Sequence, residues 1–172
     1  LIDEINRASA KTQSALLEAM EERAVTVDSV TYRLHEPFMV LATQNPIEQF
    51  GTYPLPEAQL DRFMAKLSMG YPDFNSEVQV LKLGDDAKQA VHPVLTGKDI
   101  LNLRIIAKRI FASDMLLRYI IQIIKATRDD KEVLVGSSPR GGIALLALAR
   151  AYALSRGRAY VLPDDVKTLA PH

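Results

Sequence analysis

The first stretch of the chain, LIDEINRASAKTQSALLEAMEER at residues 1–23, decides the fold. It opens with an apolar pair followed at once by Asp3 and Glu4, which is typical of a buried strand that ends at a carboxylate. Small and apolar residues then recur at helical spacing between Ala15 and Met20. A strand followed directly by a helix predicts an α/β unit.

Two further β elements are predicted downstream. The sequences RAVTV and VTYRLH lie on either side of Asp28 and Ser29, a spacing that favours a β-hairpin. FMVLATQNP at residues 38–46 predicts a continuous apolar strand that ends in polar residues, with Pro46 stopping regular structure. Together with the first strand, this segment indicates part of a parallel sheet.

The polar residues at the two strand ends are expected to act together, because ligands of open parallel sheets bind beyond the carboxyl ends of the strands. Asp3 can hold a magnesium ion, and Glu4 can orient and deprotonate a water that attacks a γ-phosphate. The amide of Asn45 can fix that same water. Taken alone, Asp3 and Glu4 are as consistent with an acidic pair favoured near a helix start as with a catalytic role. Taken alone, Asn45 before Pro46 is more typical of a turn residue than of a functional one.

The second part of the chain is predicted to be a helical bundle. EQFGTYPLPEAQ is predicted as a loop, PEAQLDRF as a short helix and FMAKLSM as another apolar segment, with a boundary at GYPDFN. Beyond that boundary the patterns predict only helices, at about 75–83, 98–110, 113–128, 139–156 and from 163. We therefore expect a partial α/β core at residues 1–72 and an all-α domain at residues 73–172.

Two arginines in these segments are candidate phosphate ligands. Arg140 lies in the first turn of a helix that Ser138 is predicted to cap, where a cation opposes the helix dipole at a cost of about 0.3 kcal/mol or more. A nearby anion would reverse this cost, because a planar guanidinium suits phosphate oxygens. Arg140 is otherwise a tolerated exposed residue. Arg62 follows Asp61, so it is either half of a local ion pair or an arginine finger.

The composition excludes several functional classes. Lys plus Arg and Asp plus Glu each number 21, so there is no net charge to concentrate nucleic acid or an anionic membrane surface. Cysteine is absent and His35, His92 and His172 lack ligand spacing, so neither a thiolate nor a zinc site is expected. The longest apolar runs are far shorter than a membrane span. We expect a cytoplasmic globular protein, with nucleic acid as the least favoured partner.

Three stretches of the chain resemble the MoxR group of AAA+ ATPases. They are LIDEINRA with KTQSALLEAMEE, VLATQNPIEQFGTYPLPEAQLDRFM, and SPRGGIALLALARAYALSRGRAYVLPDDVK. The second is the most specific, and the resemblance covers nearly the whole chain, most weakly between residues 74 and 110. It implies the C-terminal part of an AAA+ P-loop NTPase parallel sheet followed by an all-α helical lid domain.

The resemblance also implies roles for the candidate residues. LIDE would be a Walker B motif in which Asp3 serves magnesium and Glu4 activates water. Asn45 would be the sensor-1 residue. Arg62 would be the finger inserted into a neighbouring subunit's site, and Arg140 would be the sensor-2 residue on the lid helix.

The activity implied by the resemblance is magnesium-dependent ATP hydrolysis coupled to chaperone-like protein remodelling or metal-cofactor insertion. ATP and magnesium are the expected cofactors. The expected assembly is a homo-oligomeric ring, expected to be a hexamer, with a protein client and a von Willebrand type A domain protein as further partners. The hairpin near residues 24–35 resembles the insertion that precedes sensor 1 in this clade.

One part of the family pattern is missing, since no GxxxxGK[ST] sequence occurs in these residues. We interpret the chain as a family member lacking its N-terminal part, and expect it alone to be unable to hydrolyse ATP. The alternative is a truncated, nucleotide-blind module that joins rings of intact homologues. Without the P-loop strand, unpaired apolar edges are expected to cause abnormal association or a rearranged FMAKLSM segment.

Overall fold

The α/β part of the chain is organised by a short parallel pairing. The computed structural model describes three ranges of the chain, residues 1–45, 52–84 and 91–172. The backbone amides of Ile2 and Thr43 donate to the carbonyl oxygens of Leu41 (2.8 Å) and Ile2 (2.9 Å), respectively. The Ile5 amide donates to the Thr43 carbonyl at 3.0 Å, so the two segments run side by side in the same direction.

The strand predicted at residues 38–46 is shorter in the structure than its apolar sequence indicates. Ala42 forms a bridge to Ile2, but the Met39 and Leu41 side chains are 73% and 55% exposed. Buried parallel strands need neighbours on both edges and cover on both faces. Among the described residues only the first few of the chain pair with this segment, so the predicted strand is wrong in extent. Pro46, expected to stop it, lies outside the described residues.

The second apolar segment, FMAKLSM at residues 63–69, forms no regular element in the structure. Phe63 packs against the small core of the α/β part, whereas Leu67 and Met69 are 70% and 94% exposed. The Lys66 amide donates to the backbone carbonyl of His172 at 2.6 Å. The association expected from such uncovered apolar residues stays a prediction.

The first helix, α1, spans Ala10–Glu22 and leads into the predicted hairpin. Strands β1 (Ala24–Val27) and β2 (Val30–Arg33) pair antiparallel and are mostly exposed. The two residues between them, Asp28 and Ser29, have φ values of 49° and 65°. Positive φ at both central positions is typical of a type I′ turn, so the hairpin prediction is confirmed.

The small core of the α/β part lies between α1 and the segment that begins at residue 52. Ile5, Leu17 and Leu55 are its buried apolar members. Gln13 is buried with them, and its side-chain amide donates to the carbonyl oxygens of Ile5 (3.1 Å) and Tyr53 (2.8 Å). This satisfied buried amide ties α1 to both neighbouring segments.

The remaining helices fall where the sequence patterns predict them. They are α2 (Glu57–Leu60), α3 (Phe74–Leu83), α4 (Gly97–Arg109), α5 (Asp114–Asp129), α6 (Pro139–Ser155) and α7 (Pro163–Leu169). From α3 onward, the predicted bounds lie within one residue of those observed. In the ranges that the structure describes, every helix is too short or too polar to cross a membrane.

The helical part has its own core, formed mainly by α5, α6 and α7. On α5 the buried residues Leu116, Ile120 and Ile124 follow one another every four positions, which places them on one face. They pack in one cluster with Leu145 and Ala149 of α6. The packing of this α5 face against α6 fixes the position of α6 and therefore of its first turn.

An ion pair with little exposure joins the end of α6 to the start of α7. Arg158 donates through both terminal nitrogens to the Asp165 carboxylate at 2.6 and 2.8 Å. Asp165 also accepts from the Leu162 amide at 2.8 Å, and its side chain is 5% exposed. The hydrogen bonds from Arg158 hold the pKa of Asp165 below its usual value.

Replacing Asp165 by Ala is expected to lower the free energy of unfolding by about 3 kcal/mol, because Arg158 is left without its partner. The pKa of Asp165 is lower in the folded protein than the value of about 3.9 expected in the unfolded chain, so the ionised carboxylate stabilises the fold fully only above that value. The loss caused by the substitution should therefore shrink as the pH falls below about 4. Urea denaturation followed by circular dichroism measures both effects. Asp164→Ala removes an exposed neighbour and is the control; equal losses would contradict this assignment.

Candidate functional site

Three residues at the ends of the paired segments form one hydrogen-bonded cluster. The Thr43 hydroxyl donates to Asp3 Oδ1 at 2.6 Å and accepts from the Glu4 backbone amide at 2.9 Å. Asp3 is exposed and the Glu4 side chain is 34% exposed, so a ligand can reach both carboxylates. The parallel pairing thus places the Thr43 hydroxyl beside the adjacent residues Asp3 and Glu4, where it binds the carboxylate of the first and the backbone amide of the second.

Glu4 is held in an unusual backbone conformation. Its φ of 47° and ψ of 56° lie in the left-handed region, which costs a residue other than glycine about 1–2 kcal/mol. It precedes a short 3-10 helix, Ile5–Arg7, and its carboxylate pairs with Arg7 Nε at 2.9 Å. The bonds to Thr43 and Arg7 offset this strain and fix the direction of the side chain. Strain of this kind concentrates at functional sites.

Asn45 lies beside the buried residue Asn6. The side-chain amide of Asn6 donates to the Asn45 backbone carbonyl at 3.2 Å. The other side-chain atom of Asn6, Oδ1, is buried and has no hydrogen-bond partner in the part of the chain that the structure describes. Asn45 follows closely after Thr43, so it is anchored next to the edge that carries Asp3 and Glu4.

The donors at this edge suit a magnesium ion that is held mainly by water and phosphate oxygens. Magnesium binds oxygen ligands and commonly takes only one or two protein carboxylates. Asp3 uses one carboxylate oxygen for Thr43, which leaves the other for the ion or its water. In residues 1–45, 52–84 and 91–172 no group of three or more His, Cys, Asp or Glu side chains could hold a metal by itself.

The two candidate arginines meet at a single carboxylate. Arg62 Nη1 lies 3.0 Å from Glu21 Oε2, and Arg140 Nη2 lies 2.9 Å from Glu21 Oε1. The three side chains are between 34% and 56% exposed. The alternative of a local Arg62–Asp61 ion pair is therefore not what the structure shows. Neither arginine forms an ion pair with Asp3 or Glu4 among the described residues.

Asp61 instead binds the helical part of the chain. The Ser138 hydroxyl donates to the two Asp61 carboxylate oxygens, at 2.7 and 2.9 Å. The same oxygen of Ser138 accepts from the Arg140 amide at 3.0 Å, which confirms the predicted N-cap of α6. Two contacts, Ser138 with Asp61 and Arg140 with Glu21, therefore join α6 to the α/β part.

One face of α1 contacts successive points of the segment that carries Arg62. Residues four apart on a helix lie on the same face, about 6 Å apart along the axis. Three residues of α1 have this spacing, and each is paired with a different residue of the segment from residue 52 onward. The pairs are Gln13 with Tyr53, Leu17 with Leu55, and Glu21 with Arg62.

Sequence reasoning missed two of the residues that organise these clusters. Thr43 is one of the polar residues that end the predicted strand at 38–46, and the structure shows that its hydroxyl binds both the Asp3 carboxylate and the Glu4 backbone amide. Glu21 was not singled out at all. The four-residue spacing that follows Leu17 is the signal that could have found it.

Two family models match the chain. The model described as "ATPase family associated with various cellular activities (AAA)" matches residues 1–65, and the model described as "AAA lid domain" matches residues 125–172. The first match includes the cluster around Asp3, and the second includes Arg140. The fold and these two matches thus identify an AAA+ ATPase core followed by its lid domain.

The relatives of the chain refine this class. Over 99% of its length the chain is 54% identical to the protein YeaC of Bacillus subtilis and 45% identical to the chaperone MoxR1 of Mycobacterium tuberculosis. A crystal structure of a candidate ATPase from Cytophaga hutchinsonii matches 98% of the chain, with a TM-score of 0.89 and 44% identity. The chain belongs to the MoxR family of AAA+ ATPases. It spans about half of each of these proteins, 54%, 48% and 55% of their lengths.

Replacing Ser138 by Ala is expected to lower the free energy of unfolding by about 2 kcal/mol, because the helix loses its cap and Asp61 loses its donor. Ser113→Ala is the matched control, because the Ser113 hydroxyl caps α5 by accepting from the Leu116 amide and has no other hydrogen bond among the described residues. That variant should lose only about 1 kcal/mol. Denaturant unfolding measures both, and equal losses would show that the Asp61 contact contributes nothing.

Proposed function

We propose that the intact protein carrying this chain hydrolyses ATP in a magnesium-dependent reaction and uses the energy to remodel a protein client or to insert a metal cofactor. The observation that carries the proposal is the cluster of Asp3, Glu4 and Thr43, with Asn45 anchored beside it. Two carboxylates and an amide at the ends of paired parallel strands suit γ-phosphate hydrolysis. The chaperone name of the relative MoxR1 supports a protein client.

Each residue of the cluster has a separate task in the proposed reaction. Magnesium, when bound, neutralises charge on the β- and γ-phosphate oxygens. Asp3 would hold the ion or its water through the oxygen that Thr43 leaves free. Glu4 would orient and deprotonate the attacking water, with its direction fixed by Arg7. Asn45 would hold the same water from the neighbouring segment.

The two arginines are proposed to act on the nucleotide of a neighbouring subunit in a homo-oligomeric ring, which we expect to be a hexamer. Arg62 would be the finger, and Arg140, the proposed sensor-2 residue, would act with it because both bind Glu21. Their partial exposure supports this proposal, because a second subunit can reach them. Guanidinium groups aimed at phosphate oxygens stabilise the charge of the transition state.

The rest of the nucleotide site is proposed to come from residues outside this chain. The chain contains no GxxxxGK[ST] sequence and spans about half of the relatives it matches. A phosphate-binding loop before Walker B would supply backbone amides and a lysine.

We divide the chain into a core at residues 1–72 and a lid at residues 73–172. We also propose a cytoplasmic protein with a von Willebrand type A domain partner.

Replacing Glu4 by Gln in the full-length protein is expected to trap bound ATP and to lower turnover by about 100-fold or more, because an amide can orient water but cannot deprotonate it. Phosphate release and nucleotide retained after gel filtration measure the two effects. Glu132→Gln, at an exposed position between α5 and α6, is the control. Undiminished turnover would remove Glu4 from this role, and a wild-type protein that binds no ATP would favour the nucleotide-blind alternative.

Replacing Arg62 by Ala is expected to lower turnover by about 1,000-fold while ATP affinity stays nearly unchanged, as for a finger acting between subunits. Arg118→Ala removes an arginine that has no ion pair among the described residues, and serves as the control. Rings mixed from Arg62→Ala and Glu4→Gln subunits should regain part of the turnover, because some interfaces then combine an intact Arg62 with an intact Glu4. Mixed rings as inactive as either variant alone would argue against action between subunits.

A further inference from the structure

Glu21 has a position that its contribution to stability does not explain. It lies in the last turn of α1, where the helix dipole disfavours a carboxylate, and Glu22 beside it adds a second negative charge. Its ion pairs with Arg62 and Arg140 are well exposed to water, and ion pairs of this kind stabilise a fold little. A role in arranging the two arginines accounts for the position better.

The geometry of the three side chains leaves most of each guanidinium available. Arg62 gives Glu21 one terminal nitrogen and Arg140 gives it one terminal nitrogen, each to a different carboxylate oxygen. The other nitrogens of both arginines can still donate to a phosphate. Two cations held so close together repel each other, and the carboxylate between them offsets that repulsion.

The direction of Glu21 is fixed by the fold. It lies one helical turn beyond Leu17 and two turns beyond Gln13, both of which are buried against neighbouring segments. Glu22 is rotated from Glu21 by about 100° around the helix axis, and both side chains line the same cavity as Arg62. Glu22 has no ion pair among the described residues, although it carries the same charge. The chain therefore offers a matched control for Glu21.

We propose that Glu21 is a positioning residue that joins Arg62 and Arg140 into one phosphate-binding pair. The pair would bind the triphosphate of the neighbouring subunit, and Glu21 itself would not touch the nucleotide. This inference rests on the proposed function, because it assumes that the two arginines serve ATP hydrolysis. It adds a residue through which the finger and the lid arginine act as one unit.

The test is turnover by the assembled full-length protein carrying Glu21→Gln. A glutamine has one acceptor oxygen and turns its amide hydrogens toward a guanidinium, so it can hold one arginine but not both. We expect kcat to fall on the order of tenfold to a hundredfold, with the KM for ATP changed by less than about twofold. Glu21→Asp keeps the charge and should recover part of kcat. Glu22→Gln should behave as wild type, and equal losses in Glu21→Gln and Glu22→Gln would overturn the proposal.

Double variants separate positioning from a structural role. If Glu21 acts through the arginines, Glu21→Gln should cause little further loss in an Arg62→Ala background, whereas independent effects would multiply. The melting temperature of Glu21→Gln should match that of Glu22→Gln. Multiplied losses, or a fall in melting temperature for Glu21→Gln alone, would overturn the positioning role.

The same measurements keep this inference apart from the proposed function. If Arg62→Ala and Arg140→Ala both retain wild-type turnover, the proposed role of the arginines fails and the role of Glu21 fails with it. If both arginine variants lose turnover while Glu21→Gln keeps it, the proposed function stands and the positioning role of Glu21 alone is wrong.

Discussion

The parallel hydrogen bonds between the start of the chain and residues 41–43 are the constraint on which the candidate site depends. Thr43 pairs through its backbone with Ile2 and Ile5, and this pairing sets its hydroxyl between Asp3 and the Glu4 amide. A slip by one residue would turn the side chains to the opposite face and separate these groups. The chemistry of the site is therefore a consequence of strand register.

The single face of α1 extends that arrangement to the arginines. At one end Gln13 is hydrogen-bonded to the Ile5 carbonyl, next to the strained Glu4. Two helical turns further on, about 12 Å, Glu21 holds Arg62. Because the helix between them is packed through Leu17, the carboxylate cluster and the arginine pair are set by one rigid element. Neither cluster needs to contact the other directly.

Local signals explain which parts of this structure could be predicted from the sequence. The helices of the lid and the cap at Ser138 follow from apolar spacing and capping chemistry, and the hairpin follows from the residues at its turn. The strand at residues 38–46 was predicted too long, because its extent depends on neighbouring strands and not on its own residues. The partner of Arg62 was also missed, because Asp61 is adjacent in sequence while Glu21 is reached only through the tertiary fold.

Exposure determines what the arginine pair can do. Arg62 and Arg140 share Glu21, and Glu18 and Glu22 line the same cavity as Arg62, so water screens all of these charges while the surface is open. Cover by a neighbouring subunit would remove that water and strengthen every interaction with a phosphate. Ser138 binds Asp61, and Arg140 binds Glu21, so a movement of α6 away from the core would break both contacts together. The position of the lid and the geometry of the arginine pair are therefore coupled.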